Sequence, residues 1–196
     1  MGRKPNPERR PEILRAVVDE LARTGLGDLS LRPLAGALGV STYTLTYQFG
    51  SKEELLRAVL EFVEAEQVGT ARAAVRDAAG DVGTVVAAYW EWVTVPEHLA
   101  RVRLVFEALT IPRVADLLAD DFRARLMSAW VEFLTGDLVG AGMARDDAEA
   151  EATIAASALA GMLLDLLATG DRERLGRAAR RLAGHLRDLQ LACRAR

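Results

Sequence analysis

Apolar positions recur along this chain at three- and four-residue spacing, and no useful stretch alternates residue by residue. Ile13, Leu14, Val17, Val18 and Leu21 mark the inward face of a first helix over 11–24, closed by Gly25. Leu31, Leu34, Ala35 and Leu38 repeat the spacing over a shorter run that Gly39 ends. Leu45 and Phe49 give an inward edge to a helix over 42–49, stopped by Gly50. Leu55, Leu56, Val59, Leu60, Phe62 and Val63 then open a longer helix, expected to reach about residue 79 before a break at 80–83. Further helices are expected over 82–95, 96–110, 114–139, 146–168 and 172–192, punctuated by Pro96, Pro112, Gly140, Gly142 and Gly170. The pattern predicts an all-α fold.

The stretch 29–56 carries the most specific signals. Ser30 precedes an apolar-periodic run and is a candidate helix cap, as is Ser41 after Gly39 and Val40. Ser51 and Glu54 have the spacing of a capping box. Two short helices, a glycine turn and a capped third helix form the pattern of a helix-turn-helix, whose second helix enters the major groove of DNA. Thr42, Tyr43, Thr44 and Gln48 suit base edges, by hydroxyl, amide or methyl contact. Tyr47 and Lys52 suit phosphate oxygens, which fix register rather than sequence. Ser30, Arg32, Ser41 and Thr46 complete the candidate DNA-binding set. The spacing alone is equally met by a helical hairpin with its polar face in water.

The residues themselves favour the first reading. Ile13-Leu14, Gly25, Ser30-Leu31, Leu34-Ala35, Leu38-Gly39-Val40-Ser41, Thr44-Leu45, Tyr47, Phe49 and Gly50-Ser51-Lys52-Glu53-Glu54-Leu55-Leu56 together resemble the DNA-binding domain of the TetR family of bacterial transcriptional regulators. The likeness covers roughly residues 8–60. It departs from the family where Thr46-Tyr47-Gln48 replaces the usual Tyr-Tyr-His run before the Phe. The resemblance implies a three-helix DNA-binding domain over 1–50, led by an arm at 1–9, and a helical effector-binding and dimerisation domain over 51–196. The helix over 51–66 would connect them and act as the lever.

Charge is uneven in the same sense. The chain carries a net −3, but residues 1–52 hold 8 Lys/Arg against 5 Asp/Glu. Positive charge therefore accompanies the expected DNA-binding part, where it displaces counterions. Arg3, Lys4, Arg9 and Arg10 are candidates for a basic arm. The single cysteine, Cys193, builds neither a disulfide framework nor a zinc site. His98 and His185, the only histidines, have no neighbours at metal-ligand spacing. No nucleophile elbow, phosphate loop or zinc-hydrolase motif is present, so the chain does not read as an enzyme, and no cofactor or metal is expected. The start has no apolar core of a signal peptide, and no run is expected to reach the ~20 apolar residues of a membrane span. A cytoplasmic protein is the expectation.

The middle of the chain concentrates aromatic residues, as pockets between helices do. Tyr89, Trp90, Phe106, Met127, Trp130 and Met162 are the candidate effector contacts, with Arg103, four residues before Glu107, as a polar anchor. Ala155, Leu159, Leu163 and Leu166, with Leu182, Leu186 and Leu189, place small and aliphatic side chains at helical spacing on the last two helices. Family members pair these helices between two subunits, so those residues are the candidate homodimer interface. The expected function is a repressor that leaves a palindromic operator when a small apolar or aromatic effector binds. The competing reading is a helical dimeric interaction protein without specific DNA binding.

Overall fold

The computed structural model describes residues 7–77 and 81–195, apart from the side chains at 7, 71, 72, 74–77, 126 and 127. Arg3, Lys4 and Gly80 thus lie outside the described residues. Among the described residues every regular element is helical. A 3-10 turn at Pro7–Arg9 leads into α1 Arg10–Thr24, α2 Leu31–Ala37, α3 Thr42–Phe49 and α4 Lys52–Asp77. Then come α5 Val82–Val93, α6 Pro96–Thr110, α7 Pro112–Ala115, α8 Asp120–Gly140, α9 Arg145–Thr169 and α10 Arg172–Arg194.

The helices belong to two compact units. One comprises the chain to Ala65 together with Pro96–Arg123; the other comprises Glu66–Val95 and Ala124–Arg196. In the first unit Ile13, Val17, Val18 and Leu21 of α1 are buried, as are Leu34, Ala35, Leu45, Phe49, Leu55, Leu56, Val59 and Leu60. Each buried aliphatic side chain contributes about 1.5–3 kcal/mol relative to exposure. α6 packs along α1, and Val102, Leu104 and Ala108 are its buried residues.

Local chemistry sets the turns of this unit. Gly39, at φ +63°, ends α2 in the left-handed conformation, and the Val40 N–H reaches back to the Ala35 carbonyl at 3.0 Å. That is a Schellman closure, which a side chain at Gly39 would strain. Ser41 caps α3 by accepting the Thr44 N–H at 3.0 Å. The capping box of α4 is reciprocal: Ser51 N–H donates to Glu54 at 2.8 Å, and Glu54 N–H to the Ser51 hydroxyl at 3.2 Å. Ser30 stands at the N-cap of α2 but its hydroxyl accepts no capping bond. The third helical residue there is Pro33, which has no N–H to give.

The second unit is built on α5 and α10, which run antiparallel. Gly83 of α5 lies against the Ala183 carbonyl and Arg187 Cβ, leaving no room for a Cβ. The Val82 N–H donates to Gln190 at 3.0 Å, and Trp90 Nε1 approaches Gly176. Asp81 caps α5 by accepting the Gly83 and Thr84 N–H groups, and its carboxylate also takes a bond from Arg187 Nε at 2.8 Å. α9 packs on α10.

Two expectations are corrected. The single helix over 114–139 is instead α7 and α8. After Pro112 the chain winds by short backbone bonds, Leu117 N–H to the Val114 carbonyl and Leu118 N–H to that of Ala115. This tighter turn buries Val114, Ala115 and Leu118, and the ladder restarts at Asp120, whose carboxylate suits a helix N-terminus. The second correction concerns apolar length. α9 is long and apolar enough, by length and composition alone, to cross a membrane. Its middle is interrupted only by Ser157 and Gly161 rather than by charge.

Candidate nucleic-acid interface

α3 presents one face outward and anchors the other. Leu45, Gln48 and Phe49 are buried. Tyr43 and Tyr47, four residues apart, stay 65% and 50% exposed, with ring centroids 6.1 Å apart. Thr42 and Thr46 are exposed on the same side. The helix is fixed at both ends: Ser41 caps its start, and Arg10 of α1 holds its end. Arg10 Nε donates to the Gln48 carbonyl at 3.1 Å, and its guanidinium lies 5.2 Å from the centre of the Phe49 ring. A cation there also complements the negative end of the helix dipole.

Hydroxyl partners sort the threonines. Thr44 shares its hydroxyl with Ser41 Oγ at 2.9 Å, and Thr46 turns its own back to the carbonyls of Thr42 and Tyr43. Thr42, Tyr43 and Tyr47 are therefore the side chains on this face whose polar atoms are presented outward. Arg32 is exposed and Lys52, the first residue of α4, is half-buried.

Gln48 corrects the sequence reading. It is only 9% exposed, so its amide is not on the outward face of α3. An i+3 spacing from Leu45 puts it on the buried edge, a placement that polarity alone does not reveal. Arg10 is a second correction: it is a helical residue engaged with α3 rather than part of an extended arm.

The candidate effector residues do not share one unit. Tyr89, Trp90, Trp130 and Met162 belong to the second; Arg103 and Phe106 belong to the first; the Met127 side chain lies outside the described residues. In the second unit Tyr89 packs tilted against Trp130 with centroids 4.4 Å apart, and Trp92 and Phe133 adjoin this pair at 6.0 and 5.9 Å. The Tyr89 hydroxyl donates to Gln67 of α4 at 2.8 Å, both residues being buried. Burial pushes the Tyr89 phenol far above its ordinary range, so it stays protonated. Trp92 and Phe133 extend the candidate cluster; both are signalled in the sequence by spacing alone. Arg103 is committed elsewhere: its Nη2 donates to the Ala22 carbonyl at 2.8 Å, and Nε lies 3.2 Å from Glu107.

The candidate interface residues Ala155, Leu159, Leu163, Leu166 and Leu186 are buried within the chain itself, and Leu182 and Leu189 are half-buried. The five buried ones are thus already packed inside the chain, where α9 lies against α10. The opposite edge of α9 is the exposed one, with Ile154 at 59% and Leu164 at 47%, and Ser157, Gly161 and Ala168 beside them. Among the described residues no three His, Cys, Asp or Glu side chains are grouped to hold a metal ion.

The family model for bacterial regulatory proteins of the tetR family matches residues 13–59, the segment from the buried face of α1 to the start of α4. No protein of curated function matches the sequence significantly. Solved structures match nearly the whole chain. A Rhodococcus sp. protein classed as a TetR-family transcriptional regulator is 23% identical, with 93% of this chain and 98% of that one covered at a TM-score of 0.71. A transcriptional regulator from Pseudomonas aeruginosa PAO1 is 20% identical, with 97% of each chain covered at 0.67. The multidrug binding protein EbrR, solved with imidazole, is 22% identical, with 90% of this chain and 96% of that one covered at 0.64. Residues 13–59 thus match the DNA-binding domain of the tetR family of bacterial regulatory proteins, and the whole chain shares the fold of these solved regulators.

Proposed function

We propose that this chain is a DNA-binding transcriptional regulator, a homodimeric repressor whose hold on a palindromic operator is released by a small, uncharged, apolar or aromatic effector. The observation that carries the DNA-facing half is the geometry of α3, capped by Ser41 and braced by Arg10, with Thr42, Tyr43 and Tyr47 turned outward. Two such helices, related by a two-fold axis, would enter major grooves about one helical turn (~34 Å) apart. The exposed apolar edge of α9 at Ile154 and Leu164 supports the two-fold pairing, because a stripe of that kind gains by burial against a second copy.

Tyr89, Trp90, Trp130 and Met162, with Trp92 and Phe133, form the proposed effector surface. It offers aromatic area and few charges, which favours apolar or aromatic compounds. That a structurally similar protein is a multidrug binder in complex with imidazole agrees with a small-molecule role. Tyr89 is bonded to Gln67, and Gln67 belongs to α4, which starts directly after the helix-turn-helix. An effector that displaces Tyr89 therefore acts on the connecting helix. A coupling of about 1–3 kcal/mol suffices, since 1.4 kcal/mol is tenfold in affinity. A cytoplasmic location follows from this role.

Selection of bound duplexes from a random DNA pool tests the reading. The expected result is an enriched, roughly palindromic sequence whose binding falls steeply with salt. Apolar aromatic compounds that raise the melting temperature should then release it. Failure to enrich any sequence, with no salt-dependent binding, overturns the reading in favour of a protein-interaction module.

A further inference from the structure

We infer that Glu107, Arg103 and Arg113 are positioning residues of the DNA-binding unit: from α6 and α7 they fix the corner between α1 and α2, and with it the seating of the helix-turn-helix. This rests on the DNA-binding role proposed above and adds residues that lie outside the helix-turn-helix sequence.

The corner is the segment Gly25-Leu26-Gly27-Asp28; three of its backbone and side-chain groups, and one carbonyl at the end of α1, are held from α6 and α7. The Leu26 N–H donates to Glu107 Oε2 at 2.6 Å. Arg103 Nη2 donates to the Ala22 carbonyl at 2.8 Å, one of the last carbonyls of α1, which have no partner within the helix. Arg113 Nε donates to the Gly27 carbonyl at 2.6 Å, and its Nη2 reaches Asp28 at 3.1 Å. Arg103 and Glu107 face each other at 3.2 Å, so the two sites act as one charged pair bridging an orphan donor and an orphan acceptor. Farther along, Arg101 meets Asp19 of α1 at 2.7 Å.

The corner is shaped to receive these groups. Gly25 sits at φ +82°, and a Cβ there would lie 3.1 Å from Glu107 Oε2. Glycine is required twice over, for the backbone angle and for the carboxylate beside it. Leu26 is fully buried, so its N–H cannot turn to water when Glu107 is removed. Bonds to a charged acceptor are the stronger kind, and a buried donor left without one carries the full desolvation cost. α2 starts three residues after Asp28, so a loosened corner frees α2, and α3 is joined to α2 by the tight Gly39 turn.

The test uses the full-length protein, with hydrogen exchange and DNA affinity read separately. In E107A, exchange of the Leu26 amide should rise at least about tenfold while peptides of α5 and α10 are unchanged. Affinity for the selected operator should fall about tenfold. E107Q, which keeps an acceptor for Leu26 but loses the charge facing Arg103, should recover part of both. The double variant R103A/E107A should be little worse than E107A, because the pair acts as a unit. R113A, which leaves the Glu107 bond intact, serves if E107A does not fold, and should loosen Gly27 and Asp28 in the same way. Unchanged exchange at the corner overturns the inference whether or not DNA is bound. Loosened exchange with operator affinity within twofold of the parent overturns the positioning role. A parent protein that binds no DNA overturns the functional reading instead, and leaves the corner to be judged by exchange alone.

Discussion

The hydroxyl of Tyr89 and the side-chain carbonyl of Gln67 meet at 2.8 Å with both residues buried, joining α5 to α4 inside the second unit. The bond is a liability if broken from one side only, because a buried acceptor then loses its donor. Tyr89→Phe keeps the ring against Trp130 and removes only the hydroxyl. It should lower stability by about 1–3 kcal/mol, read as a shift of the urea midpoint at unchanged slope. An unchanged midpoint would mean that the bond is not formed in solution. If Tyr89 also senses the effector, the variant should alter operator release more than operator binding.

Removing the outward tyrosines should separate from removing the inward amide. Tyr47→Ala deletes a half-exposed side chain and should weaken binding to operator and random duplex alike, with little change in melting temperature. Tyr43→Ala and Thr42→Ala should alter base preference at one or two operator positions if either reaches a base edge, at about 1–3 kcal/mol per good contact. Gln48→Ala, by contrast, should cost fold stability and leave the preferred sequence intact, since Gln48 is packed inward. A changed operator preference in Gln48→Ala would refute that placement.

The contrast between these residues marks what is legible in sequence. Leu45 and Phe49 announce the buried edge of α3, and Ser51 with Glu54 announces the start of α4, because periodicity and caps are local. The bounds of α6 follow directly from Pro96 and Thr110. Gln48 is a polar residue on a buried edge, where its type argues one way and its position the other. Arg103 misleads differently: its partner Ala22 lies 81 positions away, so no local pattern connects them. The exposed edge of α9 shows a third limit. Its leucines and alanines wrap the whole helix, and only packing tells which stripe is buried within the chain.

Two carboxylates of the second unit should give pH dependences of opposite sign. Burial alone would raise Asp81, but bonds from the Thr84 hydroxyl, from Arg187 and from the Thr84 N–H outweigh it and hold the group below the ordinary value. A depressed native value means stability that is present above the unfolded pKa and is lost as pH falls through the native one. Asp81→Asn should thus destabilise at neutral pH, with the difference from the parent closing in acid. Asp137 is raised, by desolvation, and its Oδ2 is buried without a partner. Its ionised form is disfavoured in the fold, so stability declines as pH rises from the unfolded value through the native one. Asp137→Asn should stabilise at pH 7, and the gain should vanish below the unfolded pKa. Urea midpoints of the three proteins across the acid range check both, and equal slopes against pH would contradict them.

Substitutions on the two edges of α9 should distinguish a subunit interface from a core. Ile154 and Leu164 are the large apolar side chains left exposed on that helix. A glutamate at either faces water in a monomer and costs little there, but it faces its own copy or another apolar stripe in a two-fold dimer. Ile154→Glu and Leu164→Glu should therefore dissociate the protein, read by sedimentation velocity across protein concentration, while each monomer stays helical and cooperatively folded. Leu159→Ala and Leu163→Ala, on the inner edge, should instead cost about 2–5 kcal/mol of fold stability through the cavity they leave. Operator binding by the dissociated variants should weaken far more than binding to random duplex, because one recognition helix spans only half of a palindrome. A parent protein that sediments as a monomer, or glutamate variants that sediment as the parent does, would remove the two-fold arrangement and with it the palindromic operator.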